Sequence, residues 1–261
     1  MFARLSLLIK KTLPNPLYEF LRTVLLWKDL AACFSFLVTD RVPVPFRDRL
    51  RIVRRLYAIN FHIDSPHRQG EILQFMSVIL TLSPSIRGSV IEAGCFKGSS
   101  TAKLSLAADL ANRNLVVFDS FQGIPGHDES GEQDIFGGPA QFAQGDLSGA
   151  LDEVKSNVAR FGKIDRCRFI SGWFDETMPS FNEPVSAIYL DVVLASSTRT
   201  CLKYLYPLLE PGGVLISQDG HLQPVIAVFD DDAFWRDEVG CPKPAMSGLR
   251  EGKIIKIVKL S

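Results

Sequence analysis

The sequence lacks the paired cysteines that mark zinc sites and disulfide frameworks. Its five cysteines are odd in number and scattered, and none belongs to a C-x-x-C pair. This spacing indicates reduced thiols rather than metal ligands or bridges. The cysteines therefore favour an intracellular, cytoplasmic protein.

The chain also lacks an excess of charge of either sign. Its 29 Lys and Arg residues balance 29 Asp and Glu residues. A nucleic-acid-binding domain usually carries a basic excess, so the composition argues against a nucleic-acid partner. Hydrophobic residues make up 46% of the 261 residues, which is enough to build the core of one large α/β domain with an extension.

Long hydrophobic runs are absent too. The start of the chain is rich in Leu, Phe and Val, but charges and prolines interrupt it before any run reaches the ~18 residues that cross a bilayer. The early charges and the missing small-residue cleavage site argue against a secretory signal. This region could contact a membrane surface or a partner subunit, or it could form helices that cap the core. The residues that suggest a surface contact are Leu5, Leu8, Ile9, Lys10 and Lys11.

A strand, a glycine turn and a helix follow one another between residues 89 and 101, in the segment SVIEAGCFKGSST. A buried parallel strand that leads through a glycine turn into a helix N-terminus forms a cradle for a cofactor. Turns that bind a pyrophosphate need a glycine at their centre, where this turn has Phe96, so an apolar or cationic nucleoside fits better than a dinucleotide. The turn residues that we expect to bind the cofactor are Glu92, Gly94, Phe96, Lys97, Gly98 and Ser99.

A second short apolar run, NLVVFDS, ends in the carboxylate Asp119. Its distance from the glycine turn is close to the roughly 20 residues typical of an acid that hydrogen-bonds ribose hydroxyls. We therefore expect Asp119 and the adjacent Ser120 to bind the cofactor. The alternative is a structural α/β turn with a surface Asp.

Strand and helix patterns alternate along the chain, which predicts an α/β fold with a mostly parallel sheet. The alternating run KIIKIVKL is typical of an antiparallel strand that closes such a sheet. We divide the chain into a helical extension over residues 1–64 and a cofactor-binding domain over residues 65–261. The predicted helices cover residues 48–57, a segment that starts at Ser65-Pro66, residues 101–111, a segment with the buried stripe Leu151, Val154 and Val158 that is followed by Gly162 at its C′ position, and residues 198–209. The predicted later strands cover residues 166–170, 185–191 and 214–217.

A long irregular stretch over residues 121–146 follows the second strand and contains six glycines. Loops of this length in a compact domain are typically lids or disordered segments. Its position predicts a lid over the acceptor site. We expect its acids Asp128, Glu129 and Glu132 to be solvated.

Several motifs together resemble a known family. The E-x-G-x-x-x-G-x-S turn, FDSFQGIP, SGWFDETMP and LYPLLEPGGVLI are similar to class I S-adenosylmethionine-dependent methyltransferases, and more narrowly to the macrocin and mycinamicin sugar O-methyltransferases. The resemblance implies a Rossmann-like fold, S-adenosylmethionine, a sugar or small-molecule acceptor, and N-terminal helices that form dimer contacts. It places the adenine beside Gly172 and Trp173; the alternative for Trp173 is a core residue at the rim of the sheet.

The resemblance also implies a magnesium ion beside the acceptor hydroxyl, held by an Asp after strand four and two adjacent Asp residues after strand five. Asp191 and Asp219 match this pattern, but Gln218 replaces one acid, and Val193 also departs from it. One carboxylate fewer weakens magnesium binding, because hard cations prefer charged oxygen ligands. If Asp191 instead acts alone as a general base, His221 is its candidate helper.

The expected function is therefore S-adenosylmethionine-dependent O-methylation, with Asp191, Asp219 and His221 as candidate catalytic residues. One alternative is a non-catalytic homologue that binds the cofactor but has lost its acceptor site. The other is an NAD(P)-dependent oxidoreductase. Phe96 and the absence of a convincing catalytic Tyr-Lys or His pair disfavour that alternative.

Overall fold

The structure is a computed structural model that describes residues 27–126, 134–138 and 140–260. The helices are α1 (Trp27–Val38), α2 (Phe46–His62), α3 (Gln69–Thr81), α4 (Ser99–Leu110), α5 (Leu151–Phe161), α6 (Phe174–Thr177), α7 (Ala195–Leu205), α8 (Gln223–Asp230) and α9 (Asp232–Phe234). The strands are β1 (Ser89–Ala93), β2 (Leu115–Asp119), β3 (Cys167–Ser171), β4 (Val185–Leu190), β5 (Leu209–Ser217), β6 (Met246–Ser247) and β7 (Ile255–Val258).

The strands of the described part form one sheet with the order β3-β2-β1-β4-β5-β7-β6. β1 to β5 are parallel, whereas β7 pairs antiparallel with β5 and β6 pairs antiparallel with β7. The fold is therefore Rossmann-like, as predicted, and antiparallel strands from the C-terminal region complete one side of the sheet. The strand order reverses between β1 and β4, which is where open α/β sheets bind their ligands.

The pairing register brings the carboxyl ends of the parallel strands to one level. Ala93 of β1 pairs with Phe118 and with Leu190, and Leu190 pairs in turn with Ser217. The residues that come next along these strands are Gly94, Asp119, Asp191 and Gln218. Asp119, Asp191 and Gln218 therefore converge at this edge of the sheet.

The sheet has a hydrophobic core on each face, because successive strand residues point to opposite sides. Val90 packs into the cluster that includes α1 to α5, whereas Ile91 packs into the cluster that includes α7 and α8. The predicted buried stripe of α3 is confirmed. Its members Ile72, Phe75, Met76 and Ile79 are all fully buried.

The described part of the N-terminal region packs on this core. Cys33 and Phe36 of α1 and Leu56 and Ile59 of α2 belong to the same buried cluster as the α3 stripe. The predicted division at residue 64 stays a prediction. The predicted surface contact through Leu5, Leu8, Ile9, Lys10 and Lys11 lies outside the described residues. No helix within the described residues is long and apolar enough to cross a membrane.

Several predicted boundaries were wrong. The third helix begins at Gln69 rather than at Ser65-Pro66, because the Arg68 backbone N–H donates to Glu71 Oε2 (2.8 Å) and this contact caps the helix at residue 68. The helix predicted over residues 198–209 is α7 (Ala195–Leu205), and β5 begins at Leu209 rather than at residue 214. The C-terminus pairs with this stretch, and such a distant contact leaves no local signal.

Gly94 lies very close to the backbone at the end of β4. Its φ is 83°, and a Cβ at this position would lie 2.1 Å from the Asp191 carbonyl oxygen. Only glycine combines this conformation with this separation.

We predict that Gly94→Ala lowers the free energy of unfolding by about 2–4 kcal/mol, through left-handed strain and a clash with backbone. Gly240→Ala is the matched control, because Gly240 has the same φ of 83° but no atom within 4 Å of the position that a Cβ would take. The control should lose only about 1 kcal/mol in urea unfolding. Equal losses in the two variants would contradict the close approach.

Candidate functional site

A cavity of about 760 Å³ opens at the carboxyl ends of the parallel strands. This volume is typical of a small-molecule site. Seven of the residues predicted from the sequence line it, namely Gly94, Phe96, Ser99, Asp119, Ser120, Trp173 and Asp191. The remaining predicted residues, Glu92, Lys97, Gly98, Gly172, Gln218, Asp219 and His221, lie outside its lining.

The glycine turn approaches the cavity in an unusual backbone conformation. Gly94, Phe96 and Gly98 all have positive φ, at 83°, 50° and 80°. A positive φ is uncommon for a residue with a side chain, and such strain concentrates at functional sites. Lys97 extends over the Phe96 ring, with its Nζ 5.3 Å from the ring centroid.

Asp119 holds two loops at the edge of the cavity. Its Oδ2 accepts a hydrogen bond from the Cys95 backbone N–H (2.7 Å), and its Oδ1 accepts one from the Phe121 backbone N–H (2.7 Å). An ionised carboxylate has about four acceptor sites. Asp119 therefore keeps the capacity to accept further bonds from hydroxyls in the cavity, and its binding to ribose stays a prediction.

Glu92 is a fully buried acid in β1. Neither of its carboxylate oxygens has a hydrogen-bond partner of standard geometry among the described residues. Burial raises the pKa of Glu92 to about 7, and the nearby hydroxyls of Ser100 and Thr101 limit the increase. Glu92 therefore lies beneath the glycine turn as a carboxyl that is only partly ionised at neutral pH.

The first turn of α4 presents a second unsatisfied group. Ser99 is 3% exposed and lines the cavity, and its Oγ has no hydrogen-bond partner among the described residues. A buried hydroxyl is costly to leave unpaired. Its position at a helix N-terminus favours a negatively charged partner.

Trp173 follows β3 and lines the cavity, as the resemblance implies for the adenine site. Gly172 connects the ends of β3 and β2, because its N–H donates a hydrogen bond to the Asp119 carbonyl oxygen (3.1 Å). With a φ of 143°, Gly172 also turns the chain towards α6. Contact of either residue with an adenine stays a prediction.

Asp191 and Asp219 have different surroundings. Asp191 lines the cavity, whereas Asp219 is 3% exposed and lies behind it. Asp219 Oδ2 accepts hydrogen bonds from the backbone N–H groups of Val192 (3.0 Å) and Val193 (2.9 Å). Because Val193 has a φ of 65°, which is rare for a β-branched residue, these bonds hold a strained backbone in place.

The two carboxyl groups also influence each other electrostatically. Burial raises the pKa of Asp191 well above its ordinary value, and repulsion from Asp219 adds to the increase. Burial raises the pKa of Asp219 to about 6, while the Val193 and Val192 N–H groups limit the increase. Asp191 is thus a strengthened base that faces the cavity.

The residues present do not fit the magnesium site that the resemblance implies. Asp219 Oδ2 already serves two backbone N–H groups, and the buried Gln218 amide lies close to Tyr189 instead of lining the cavity. Within the described residues, no three His, Cys, Asp or Glu side chains form a group that could hold a metal ion.

His221 is a half-buried residue beyond the end of β5. Burial lowers the pKa of His221 to about 4, so its imidazole is neutral at pH 7. Its carbonyl oxygen accepts a hydrogen bond from the Ile135 N–H (2.9 Å). The position of His221 outside the cavity lining gives its predicted role as a helper of Asp191 no support.

Sequence reasoning missed three walls of the cavity. Asp64, Pro66 and His67 form one, residues 122–126 form a second, and Ser196, Ser197 and Thr200 at the start of α7 form a third. His67 precedes α3 and is 5% exposed. For the wall formed by residues 122–126, the predicted lid was the only indication in the sequence.

Both ends of the predicted lid contribute to the cavity. The Ile124 N–H donates to the Asp146 carbonyl oxygen and the Gly145 N–H donates to the Ile124 carbonyl oxygen, each at 2.9 Å, so the two ends pair with each other. Gln144, Gly145 and Leu147 line the cavity on this side. The lid acids Asp128, Glu129 and Glu132 lie outside the described residues.

We predict that Glu92→Gln stabilises the protein at alkaline pH. A carboxyl whose pKa is raised from 4.5 to about 7 by folding contributes its full stability below pH 4.5 and loses it as the pH rises through 7. The amide does not titrate, so in urea unfolding at pH 8 the variant should gain up to about 3 kcal/mol relative to the wild type. At pH 5 most of this gain should be absent.

The exposed Glu251 provides the control, because Glu251→Gln should change stability little at either pH. A Glu92→Gln effect that is the same at pH 5 and pH 8 would contradict the buried-acid interpretation.

Comparison with known proteins places the chain in a family. The sequence model of the macrocin-O-methyltransferase (TylF) family matches residues 71–246. The mycinamicin III 3''-O-methyltransferase of Micromonospora griseorubida is 32% identical over 145 residues, which cover 53% of this chain and 57% of that protein. A tetracenomycin-sugar 4'-O-methyltransferase of Streptomyces olivaceus is 33% identical over 149 residues, which cover 53% of this chain and 55% of that protein.

The chain thus spans a little over half the length of these curated relatives. Two solved structures share its fold. The O-methyltransferase NovP superposes with a TM-score of 0.54 at 20% identity and covers 81% of this chain and 80% of its own. The calicheamicin methyltransferase CalS11 superposes with a TM-score of 0.56 at 15% identity and covers 88% of this chain and 91% of its own. With most of its length matched by the family's own sequence model, the chain belongs to the macrocin-O-methyltransferase (TylF) family.

Proposed function

We propose that the protein is an S-adenosylmethionine-dependent O-methyltransferase that acts on a hydroxyl of a sugar or another small molecule. The observation that carries the proposal is the convergence of the glycine turn, Asp119 and the basic carboxyl of Asp191 on one cavity. Family membership supports methyl transfer. The named relatives, which methylate sugars of natural products, support this acceptor class.

The cavity has groups suited to each part of S-adenosylmethionine. Asp119 would bind the ribose hydroxyls, Trp173 would stack beside the adenine, and the unpartnered Ser99 Oγ would bind the amino-acid part. The cofactor supplies an electrophilic methyl group on a sulfonium centre. The surrounding acids, Glu92 and Asp191, favour a cation of this kind.

The protein's main tasks are to align the acceptor and to remove its proton. Alignment of two reacting groups in one cavity can supply about 7–11 kcal/mol. Asp191 is the carboxyl that lines the cavity beside β4, and its raised pKa strengthens it as a base. It would accept the hydroxyl proton as the oxygen attacks the methyl group.

Calorimetry with S-adenosylmethionine, S-adenosylhomocysteine and NAD tests the cofactor assignment. We expect binding of the first two and none of NAD, which would remove the oxidoreductase alternative. A methylation screen against sugar and phenol libraries then identifies the acceptor. Cofactor binding without transfer to any compound would favour the non-catalytic alternative.

We also propose a cytoplasmic protein whose helix α1 contacts an anionic membrane surface. Leu30, Phe34 and Val38 recur at every fourth residue of α1 and are 48%, 66% and 59% exposed. Residues 1–64 carry 11 Lys and Arg against five Asp and Glu, although the whole chain is neutral. The exposed Arg54 and Arg55 of α2 form no ion pair with any described residue, and basic side chains of this kind attract anionic lipid headgroups.

For catalysis, we predict that Asp191→Asn lowers the rate of methyl transfer by about 10²–10⁴-fold, because it removes the base. Affinity for S-adenosylhomocysteine should stay within a few fold. The wild-type rate should fall as the pH decreases, and this fall should begin well above pH 4. The reason is that the pKa of Asp191 is raised, so the base becomes protonated at a higher pH than an ordinary Asp.

Asp219→Asn serves as the comparison. It removes the repulsion that raises the pKa of Asp191, while its amide oxygen can still accept the Val192 and Val193 N–H groups. The acid limb of the pH–rate profile should move to lower pH. An Asp191→Asn variant with wild-type rates would exclude Asp191 as the base.

For the membrane contact, we predict that the protein sediments with vesicles that contain phosphatidylserine and is released by salt. Leu30→Gln/Phe34→Gln should abolish sedimentation. Leu260→Gln, at an exposed apolar residue elsewhere (76%), is the control. If the double variant instead converts a dimer to a monomer without any vesicle binding, the face is an interface between two copies and the membrane proposal is wrong.

A further inference from the structure

The charge of the cavity lining is one-sided, although the chain as a whole is neutral. Within the described residues, the lining contains no Lys or Arg. It contains five carboxylate side chains, those of Asp64, Asp119, Asp175, Glu176 and Asp191. Low-dielectric walls that carry one sign of charge focus the field into a cleft, so this cavity favours cations over anions.

Two lysines contact lining residues without lining the cavity themselves. Lys97 Nζ lies 5.3 Å from the centroid of the Phe96 ring, and Nζ of the fully buried Lys103 lies 2.9 Å from His67 Nε2. Both lysines belong to the segment that runs from the glycine turn into α4. The other described walls, including the one that α6 forms, carry no Lys or Arg.

The loop that borders the cavity continues this asymmetry in its sequence. Residues 121–146 carry five Asp and Glu and no Lys or Arg. Described parts of this loop line the cavity, namely residues 122–126 and 144–145. An acceptor with a negative charge would therefore approach a site whose walls and neighbouring loop carry like charge.

The proposed cofactor does not account for all of these acids. S-adenosylmethionine carries a sulfonium, an ammonium and a carboxylate group, so only one positive charge is in excess. Under the proposed function Asp119 binds ribose and Asp191 accepts a proton, whereas Asp175 and Glu176 have no role. Both are exposed, and neither forms an ion pair with any described residue. Their charge is therefore available to a second ligand.

Asp175 and Glu176 lie next to a wall that suits an acceptor. They belong to α6, which packs against α7, and hydroxyl side chains from the start of α7 line the cavity. The Ser197 hydroxyl makes no hydrogen bond with any described residue, so it can bond a hydroxyl of a ligand. The buried, unpartnered hydroxyl of Ser99 independently indicates that a ligand completes this cavity.

We propose that the acceptor carries an ammonium group as well as its hydroxyl, as an amino sugar does, and that Asp175 and Glu176 are the residues that select it. The inference rests on the proposed function, because it names the chemical class of the acceptor for the same site. The two carboxylates attract an ammonium group and repel a phosphate. Phosphorylated sugars are therefore poor acceptors.

The test compares three related sugars that differ in charge: glucosamine, glucose and glucose 6-phosphate. Their dissociation constants are measured at pH 7 by saturation-transfer NMR, with the protein saturated with S-adenosylhomocysteine so that no methyl transfer occurs. We expect glucosamine to bind about threefold or more tightly than glucose, a factor that exposed ion pairs can supply. Glucose 6-phosphate should bind least tightly, and high salt should weaken the preference.

Substitution of the two acids separates their charge from the shape of the cavity. Asp175→Asn/Glu176→Gln should abolish the preference for glucosamine over glucose. Asp152→Asn/Glu153→Gln is the matched control, because this exposed pair also lies in the first turn of a helix, α5, but outside the cavity lining. It should keep the wild-type preference. Asp175→Lys/Glu176→Lys should reverse the order, so that glucose 6-phosphate binds most tightly.

Each result has a defined meaning. A wild type that does not bind S-adenosylhomocysteine would overturn the proposed function. If it binds S-adenosylhomocysteine but binds no sugar, or binds the three sugars equally, only the acceptor class is overturned. A preference that persists in Asp175→Asn/Glu176→Gln, or a loss of S-adenosylhomocysteine affinity in that variant, would overturn the role of the two acids. A preference that this variant loses and the control keeps supports the proposal.

Discussion

The structure depends on one constraint, the common level at which the parallel strands end. Pairing of Ala93 with both Phe118 and Leu190 places the glycine turn, Asp119 and Asp191 side by side. The two neighbouring chain segments approach so closely that only glycine fits at position 94. The same packing that builds the sheet thus brings acidic groups together at a poorly solvated edge.

This arrangement has an electrostatic cost. Burial raises the pKa of Glu92 to about 7 and that of Asp191 well above its ordinary value, so the protein without ligand binds protons at this edge near neutral pH. A cationic ligand would offset the cost, because an opposite charge favours the ionised carboxylates. The proposed cofactor carries a sulfonium and an ammonium group.

The fold and part of the cavity lining were predictable because their signals are local. The strand, turn and helix around Gly94 and the acid after β2 can be recognised within short segments. The wall that contains His67 could not be predicted, since it depends on Lys103, 36 residues away in sequence. The early start of β5 likewise depends on pairing with the distant C-terminus. The retained Asp219 suggested a metal ligand, but its bonds to the backbone of Val192 and Val193 are tertiary contacts that no sequence spacing reveals.

The central claim is that a buried, partly protonated acidic edge is built to receive a cation. The most direct test counts the protons released when S-adenosylmethionine binds, by titration calorimetry at pH 7 in buffers of different ionisation enthalpy. A pKa of about 7 for Glu92 leaves it half protonated, so we expect release of about half a proton or more, and less with the uncharged thioether S-adenosylhomocysteine. Tight binding of both ligands with no proton release would contradict the claim.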